Sequence, residues 1–413
     1  MANINLKTYY MVIKILGDFV NNKIIDKDFF NENIIDVANE ENSQKIYIGR
    51  IYYIAKKHNL VSIMAQAMEK LGFESDSDIW KRWLKEKNQL IYKSVLMDVE
   101  REAIQDFFEK NNIWYMLLKG MVIRKYYPAP ELREMADNDI LFDNKYSKEV
   151  YEFMTARGYK SDDYNKGYDD EYLKPPAYNF EMHRQLVSSK ERPKWYEYYK
   201  DVKSILIKDT NENRETAANN ESNNTSNQFY FSDNDFYVYF IVHTYKHFLN
   251  SGMGLRTVLD VYLYVSNLQE KLDFDYIEEQ LKKLDAYDFE QTFRSIAFKM
   301  FDENLEDRKW WNSFDDKEHD MLSYILDAGT YGNLENSVAH KMGYTKGEKK
   351  KASDKAKYIF RRLFPSMDTI EEFFPFFYKH KWAIPFLYIY RIGKMPFTRR
   401  KKVAGELREV FKK

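Results

Sequence analysis

The sequence predicts an α+β fold, a small mixed β-sheet with flanking helices, embedded in a mainly helical chain with helical regions at both ends. Three observations lead there. Strand-like apolar runs are confined to residues 113–186, apolar residues elsewhere recur at helical spacing, and between the two lies a stretch almost free of large apolar side chains. A chain of 413 residues is long enough for two or three domains of ordinary size. The divisions read from it are an N-terminal helical region at 1–95, an α/β core at 96–208, a low-complexity loop at 209–228 and a C-terminal helical domain at 229–413.

Composition narrows the class. With 44% hydrophobic residues and a formal net charge of -1, the chain reads as soluble and globular, with no global pull toward nucleic acid or anionic membrane. Cysteine is absent, which excludes disulfides, thiolate metal sites and cysteine nucleophiles and is compatible with a reducing compartment. The opening MANINLKTYYMVIKILGDFV lacks the basic start and small-residue cleavage site of a secretory signal. The apolar segment Phe373–Tyr390 is interrupted by Pro375, Lys379, His380, Lys381 and Pro385, too short and too charged to span a bilayer. The expectation is a cytoplasmic protein with no membrane partner and no DNA partner.

Residues from Leu6 to about Gly72 read as helical, punctuated at Asn21-Asn22 and Asn31-Glu32-Asn33. A stronger helix follows, capped by Ser77 or Asp78, with Trp80, Leu84, Ile91, Val95 and Val99 on one face expected to enter the core. It continues through Ile104, Phe107 and Phe108 to Asn111-Asn112 and delivers the chain to the first core strand.

The stretch Ile113–Phe142 is the centre of the chain. An apolar run predicts a buried strand, then come Lys119-Gly120, a short helix ending near Tyr127-Pro128, Arg133, and a second strand carrying Asp137 and Asp139. Residues two apart on a strand share a face, so both carboxylates converge while Asn138 looks the other way. Like charges so placed repel, which points to a divalent cation, Mg²⁺ foremost, with a solvated loop edge as the alternative. Ile140, Leu141 and Phe142 follow directly, placing the pair at the edge of a buried strand. Removing a charge from a repelling pair, by Asp137→Asn or Asp139→Asn, is expected to leave the fold largely intact.

A helix over residues 147–157 ends at Gly158, a C-cap. Strand-like runs follow near Tyr159 and from Ala177 to Leu186, the second placing Glu181 and His183 on one face and Phe180 and Met182 on the other. Glu181 is open to two readings, a site carboxylate or a surface charge on an edge strand. After the polar stretch from Asp209 to Gln228 the chain reads helical throughout.

Ser232 or Asp233 caps a helix with Phe236, Phe240, His243, Tyr245 and His247, broken by Gly252-Met253-Gly254. The next helix carries Arg256 and Asp260 four apart, a spacing that suits a local salt bridge. HTYKH is not HExxH, and two histidines are too few for a zinc site. From Phe274 to Lys413 the pattern is helical, with Gly329, Gly332 and Gly343 as punctuation. The basic run Lys346–Arg362 and the tail Arg399–Lys413 carry interspersed acids and read as solvated helix faces, with RNA or a phosphate-rich partner as the alternative.

LLKG, then Tyr-Pro, then R-x-M-x-D-x-D-I-L resembles the signature of the uncharacterised nucleotidyltransferase family, within the DNA polymerase β-like nucleotidyltransferase superfamily. The match includes Lys119, Gly120, Arg133, Asp137 and Asp139, and departs at Asn138, where an apolar residue is usual. The resemblance implies a Gly turn before a helix, a D-x-D pair that binds Mg²⁺, and a third carboxylate; a similar E-x-H in the family assigns the last to Glu181. A comparable H-x-x-x-H, then G-L-R and a following Asp, correspond to His243, His247, Arg256 and Asp260, on helices expected to pack over the nucleotide. LFPS at Leu363–Ser366, Phe373–Pro375 and the run ending in Arg391 are similar to the family's C-terminal region.

What the resemblance implies is metal-dependent transfer of a nucleoside monophosphate from a nucleoside triphosphate, ATP among them, to an unknown acceptor (small molecule, protein or RNA), releasing pyrophosphate. Asp137, Asp139 and Glu181 are then the catalytic residues and ligands of Mg²⁺ or Mn²⁺. Lys119, Gly120, Arg133, His243, His247 and Arg256 are candidates for binding the nucleotide. Lys119 has anchoring of the turn as its other reading, and Arg133 a pairing with Glu131 or Glu134. Alternatives from other classes are a nucleotide-sugar-dependent glycosyltransferase using the same D-x-D, and a non-catalytic nucleotide-binding or interaction protein.

Overall fold

The computed structural model describes residues 6–23, 27–35, 45–210 except 163, 177, 190 and 191, 226–302 except 251, 310–330, 332, 338, 352–398 and 410. Helices α1 (Leu6–Val20), α2 (Lys27–Asn33), α3 (Ile48–Lys57) and α4 (Val61–Lys70) open it, with a short parallel pairing of β1 (Ile34–Ile35) and β2 (Ile46–Tyr47). Helix α5 (Asp78–Lys110) starts where Ser77 accepts a hydrogen bond from the Trp80 N–H at 3.4 Å. The expected boundary between residues 95 and 96 falls inside this continuous helix.

The buried stripe of α5 differs from the expected one. Val95 and Val99 are 49% and 59% exposed, and the face turned inward carries Trp80, Trp83, Lys87, Met97, Arg101, Ile104 and Phe108. These positions lie three or four apart except for a step of ten from Lys87 to Met97, and the seam includes Lys87 and Arg101, whose aliphatic stems pack while their charges are paired. Of the expected stripe, Trp80 is buried and Leu84 and Ile91 pack partly against the core, while the rest of the seam escapes a search for apolar residues because it is partly polar.

The sheet is formed by β3 (Tyr115–Leu117), β4 (Asn138–Phe142), β5 (Asp169–Lys174) and β6 (Tyr178–His183), in the order β3-β4-β6-β5. Strands β3 and β4 are antiparallel, β4 and β6 parallel with Asp139 opposite Glu181, and β6 and β5 antiparallel. Alternation gives the sheet two buried faces. Tyr115, Ile140, Phe142, Tyr172, Phe180 and Met182 pack with Ile104 and Phe108 of α5 and with Val150 and Met154 of α7 (Ser147–Ala156). Met116 and Leu141, on the opposite face, join the larger helical core. The strand expected near Tyr159 is a single bridge, Lys160 to Leu173; the outer strand is β5, whose acidic, partly exposed DDEYLK suits a sheet edge and hides its strand signal.

Strands β7 (Ile207–Lys208) and β8 (Phe229–Tyr230) pair antiparallel, so a short strand also follows the polar stretch, of which residues 211–225 lie outside the described residues. Helices α8 (Pro193–Tyr199), α9 (Asp233–Asn250), α10 (Leu255–Leu268), α11 (Phe274–Lys283), α12 (Tyr287–Phe301) and α13 (Asp316–Ala328) follow. α1, α3, α4 and α9–α13 bury their apolar faces in one common core. A buried polar node ties its ends together: the Tyr9 hydroxyl donates to Leu326 O at 2.7 Å and meets His58 Nε2 at 3.1 Å, while the Leu255 N–H donates to His58 Nδ1. Beyond α13 come helices at Ala352–Leu363, Met367–Phe373, Pro375–Lys379 and Ile384–Thr398. Gly343, the start of the basic run at residues 346–351, and the tail from 399 apart from Val410 lie outside the described residues.

Candidate functional site

The turn after β3 is pinned to β4 by the Leu118 N–H, which donates to Asp139 O at 3.0 Å. Lys119 then adopts φ +46°, a conformation few non-glycine residues hold. Gly120 opens α6 (Gly120–Ile123) without a positive φ; what demands glycine is space, because a Cβ there would collide with Arg133 Nη1 and sit 3.2 Å from Met135 Cε. Strain observed at Lys119 and close packing at Gly120 mark this turn as specialised.

Asp139, the second residue of β4, is 4% exposed and points to the face of the sheet shared with the helical core. Its Oδ1 accepts from Lys119 Nζ at 2.6 Å and lies 2.9 Å from His183 Nε2. Burial alone would push this carboxyl up, but Lys119 and His183 outweigh it and hold it well below the usual carboxylate range. Glu181, its partner across the parallel register, lies 3.7 Å from His183 Nε2 through Oε2. Asp139, Glu181 and His183 place one ligand atom each within 4.8 Å of one another. Burial followed by the Asp139 charge pushes Glu181 up, against the opposing hydrogen bond from His183. Burial pulls the His183 imidazole down, yet its bonds to Asp139 and Glu181 more than reverse this and raise it to about 9.

Asp137 sits just ahead of β4, so the expected placement of both aspartates on one strand holds for Asp139 alone. Burial first, and then the Asp139 charge, push its carboxyl up. Asn138 faces the other side, 3.5 Å from Arg101 Nη1, beside an Asp98 that also accepts from Arg124. That polar pocket accounts for an amide where an apolar residue is usual.

Arg133 pairs neither with Glu131 nor with Glu134. Its Nε and Nη2 donate to the two oxygens of Asp260 on α10 at 2.8 and 2.7 Å, and the Tyr127 hydroxyl donates to the same carboxylate at 2.7 Å. The expected local pair of Arg256 with Asp260 is correspondingly absent among the described residues, because Arg256 Nη1 donates to Glu134 O at 2.7 Å. The Glu134 side chain accepts from the Ser62 N–H at 2.9 Å, at the start of α4. The loop leading to Asp137 is therefore held from two sides, by α10 through Asp260 and Arg256 and by the start of α4 through Ser62.

All nine residues singled out from the sequence, Lys119, Gly120, Arg133, Asp137, Asp139, Glu181, His243, His247 and Arg256, line one cleft of about 390 Å³ between the sheet and α9–α10. His243 and His247 bring their Nε2 atoms to 2.7 Å, so one ring donates, the other accepts, and at least one is neutral. Sequence reasoning left out His183, although its alternation with Glu181 was the available signal. Tyr168, Asp169 and Lys246 also line the cleft, with Lys246 Nζ 2.6 Å from the Tyr168 hydroxyl, and no spacing in the sequence announces them.

A strained turn, carboxylates presented by adjacent parallel strands and a cleft walled opposite by cationic and imidazole side chains are compatible with a nucleotidyltransferase. The family model described as an uncharacterised nucleotidyltransferase matches residues 44–302, and the chain belongs to that family. Neither a search of curated proteins nor one of solved structures finds a match.

Proposed function

We propose that the cleft binds a nucleoside triphosphate with Mg²⁺ or Mn²⁺, and that the protein transfers the nucleoside monophosphate to an acceptor hydroxyl of a small molecule, protein or RNA. The observation that carries this reading is the convergence of Asp139 and Glu181 from paired strands, with Asp137 beside them in the same cleft. Two carboxylates and an imidazole within 4.8 Å suit a divalent cation, and the upward push on Asp137 and Glu181 comes from burial first and from the Asp139 charge after it, both of which a bound cation would offset. Asp137, Asp139 and Glu181 would hold the cation. When bound, it polarises phosphoryl oxygens and lowers the pKa of an attacking hydroxyl.

The residues of the chain do the rest by positioning and charge. Lys119 neutralises Asp139 in the free protein, and with a cation held by the carboxylates its ammonium would be available to a phosphate oxygen. Arg256 and Lys246 line the same cleft and offer further positive charge to the triphosphate. His243 and His247 form a less charged wall against the base or sugar. The acceptor oxygen attacks the α-phosphorus in line and gives up its proton to solvent, the bond to the bridging oxygen breaks, and pyrophosphate leaves with that electron pair.

The test is thermal unfolding of wild type and Asp137→Asn with each nucleoside triphosphate, with and without Mg²⁺, followed by assay of pyrophosphate release with candidate acceptors. A ligand at about a hundred times its Kd adds about 2.7 kcal/mol. Stabilisation requiring nucleotide and Mg²⁺ together, lost in Asp137→Asn, supports the reading. Indifference to every triphosphate overturns it, and stabilisation by nucleotide sugars alone favours glycosyl transfer.

A further inference from the structure

The outward face of α5 keeps a stricter spacing than its inward one. At its centre Tyr92, Val95 and Val99 lie three and four residues apart and are 65, 49 and 59% exposed. The same alternation of four and three continues on both sides, through Lys81, Lys85 and Asn88 before them and Glu102 and Asp106 after, all of them exposed. A surface helix ordinarily buries its apolar stripe and turns polar side chains outward. Large apolar side chains set outward at heptad spacing signal a second helix.

The order of residues along this seam says which helix. One end is basic, with Lys81 and Lys85, and the other acidic, with Glu102 and Asp106. The alternation of four and three also reads the same in both directions. Turned end to end about the point between Lys93 and Ser94, the seam sets Lys81 opposite Asp106, Lys85 opposite Glu102, Asn88 opposite Val99 and Tyr92 opposite Val95. We propose that α5 joins two copies of this chain, packed antiparallel about a two-fold axis at that point, with Tyr92, Val95 and Val99 at the centre and ion pairs at both ends.

A two-fold axis satisfies every couple twice, because residue i meets j while j meets i. A parallel pair would instead set each lysine and each carboxylate of the seam against its own copy, and like charges so placed repel. Sliding the antiparallel pair by one heptad in either direction loses both couples of opposite charge. The surface is also shaped for this contact. Lys85, Asn88, Gln89 and Tyr92 border a shallow depression, the four-residue hole that receives one side chain of a facing helix, and the register brings the partner's Val99 to it. Within the chain Lys81 meets Asp76 at 3.7 Å and Asp106 meets Lys110 at 3.9 Å, long and exposed pairs whose exchange for partners across the axis costs little.

The test is sedimentation equilibrium of the full chain over a range of concentrations, and the expected result is a reversible dimer. Val95→Glu/Val99→Glu should be monomeric with an unchanged circular dichroism spectrum, since both side chains are exposed in the single chain. Lys85→Glu and Glu102→Lys should each weaken the dimer about tenfold or more, because each brings like charges together twice. An equimolar mixture of these two variants should associate again, as should a chain carrying both changes, since every reversed charge then meets its opposite. A wild type that stays monomeric at every concentration overturns the proposal. So does a dimer that Val95→Glu/Val99→Glu leaves intact, or a mixture of the two charge variants that associates no better than either alone.

Discussion

Arg133 and Asp260, 127 residues apart, form a two-toothed ion pair with both side chains almost fully buried. The pair joins the loop that precedes β4 to α10, and the remaining terminal nitrogen of Arg133 packs against Gly120. One guanidinium thus couples the Gly turn, the Asp137 loop and the helical wall of the cleft. Fork geometry makes such a contact directional as well as strong. Arg133 therefore acts as a clamp on the site more than as a group waiting for phosphate.

Breaking that clamp on one side leaves a buried charge without its partner. Asp260→Asn is expected to cost roughly 3–5 kcal/mol of stability. Urea denaturation measures it, and a loss within the range of an exposed ion pair would remove the clamp from the account. In a double-mutant cycle with Arg133→Met, the combined loss should be well below the sum of the single losses, because the second change removes the orphaned charge.

Gly120→Ala introduces a methyl group where Arg133 Nη1 lies, and Asp260 prevents that guanidinium from swinging clear. Its effect should therefore fall on the site, weakening triphosphate-dependent stabilisation about tenfold or more in apparent Kd while costing about 1–3 kcal/mol in the free protein, as overpacking does. Nucleotide titrations by calorimetry decide it; unchanged affinity would show that the turn tolerates the shift.

The two aspartates should part company on mutation. Asp137 is pushed up by burial and by Asp139, so its charged form opposes folding, and Asp137→Asn is expected to be neutral or slightly stabilising in the free protein. Asp139 instead anchors Lys119 and His183, and Asp139→Asn strands both cations, at an expected cost of several kcal/mol. The expectation from sequence that either substitution spares the fold thus applies only to Asp137. Thermal unfolding without nucleotide is the measurement, and equal Tm values for the two variants would contradict the geometry.

His58 supplies a pH signature far from the cleft. Burial, aided by the neighbouring Lys57 charge, lowers its pKa from 6.5 to about 3. With Nδ1 accepting from the Leu255 N–H, the ring is neutral and protonated on Nε2. Between these two pKa values the unfolded chain takes up a proton that the folded chain refuses. The stabilising contribution is complete above about pH 6.5 and is lost as pH falls toward 3. Relative to His58→Gln, wild type should lose about 1.4 kcal/mol more per pH unit across the middle of that window. Parallel stability curves for the two proteins would show that His58 titrates normally.

Much of the site was legible locally. Lys119-Gly120, Asp139 and the Glu181–His183 alternation are short-range patterns that local periods carry from sequence to placement, whereas Asp137 falls just ahead of the strand that was expected to hold it. The caps at Ser77 and Gly158 were legible for the same reason, since each depends on a few neighbouring residues. Less visible were the inward face of α5, partly polar, and β5, an acidic edge strand that carries little hydrophobic signal.

By itself the sequence determined the α+β class, the order of the central elements and which residue types stand at the site, because backbone period and local chemistry depend on neighbours along the chain. Only the tertiary structure decided that Asp260 belongs to Arg133 and not to Arg256, that Asp137 lies ahead of the strand that carries Asp139, and that His183 closes the carboxylate group. Those choices lie between groups distant in sequence. Burial makes each unpaired charge costly, and the packing of α10 and β6 against the Asp137 loop settles which partner is within reach.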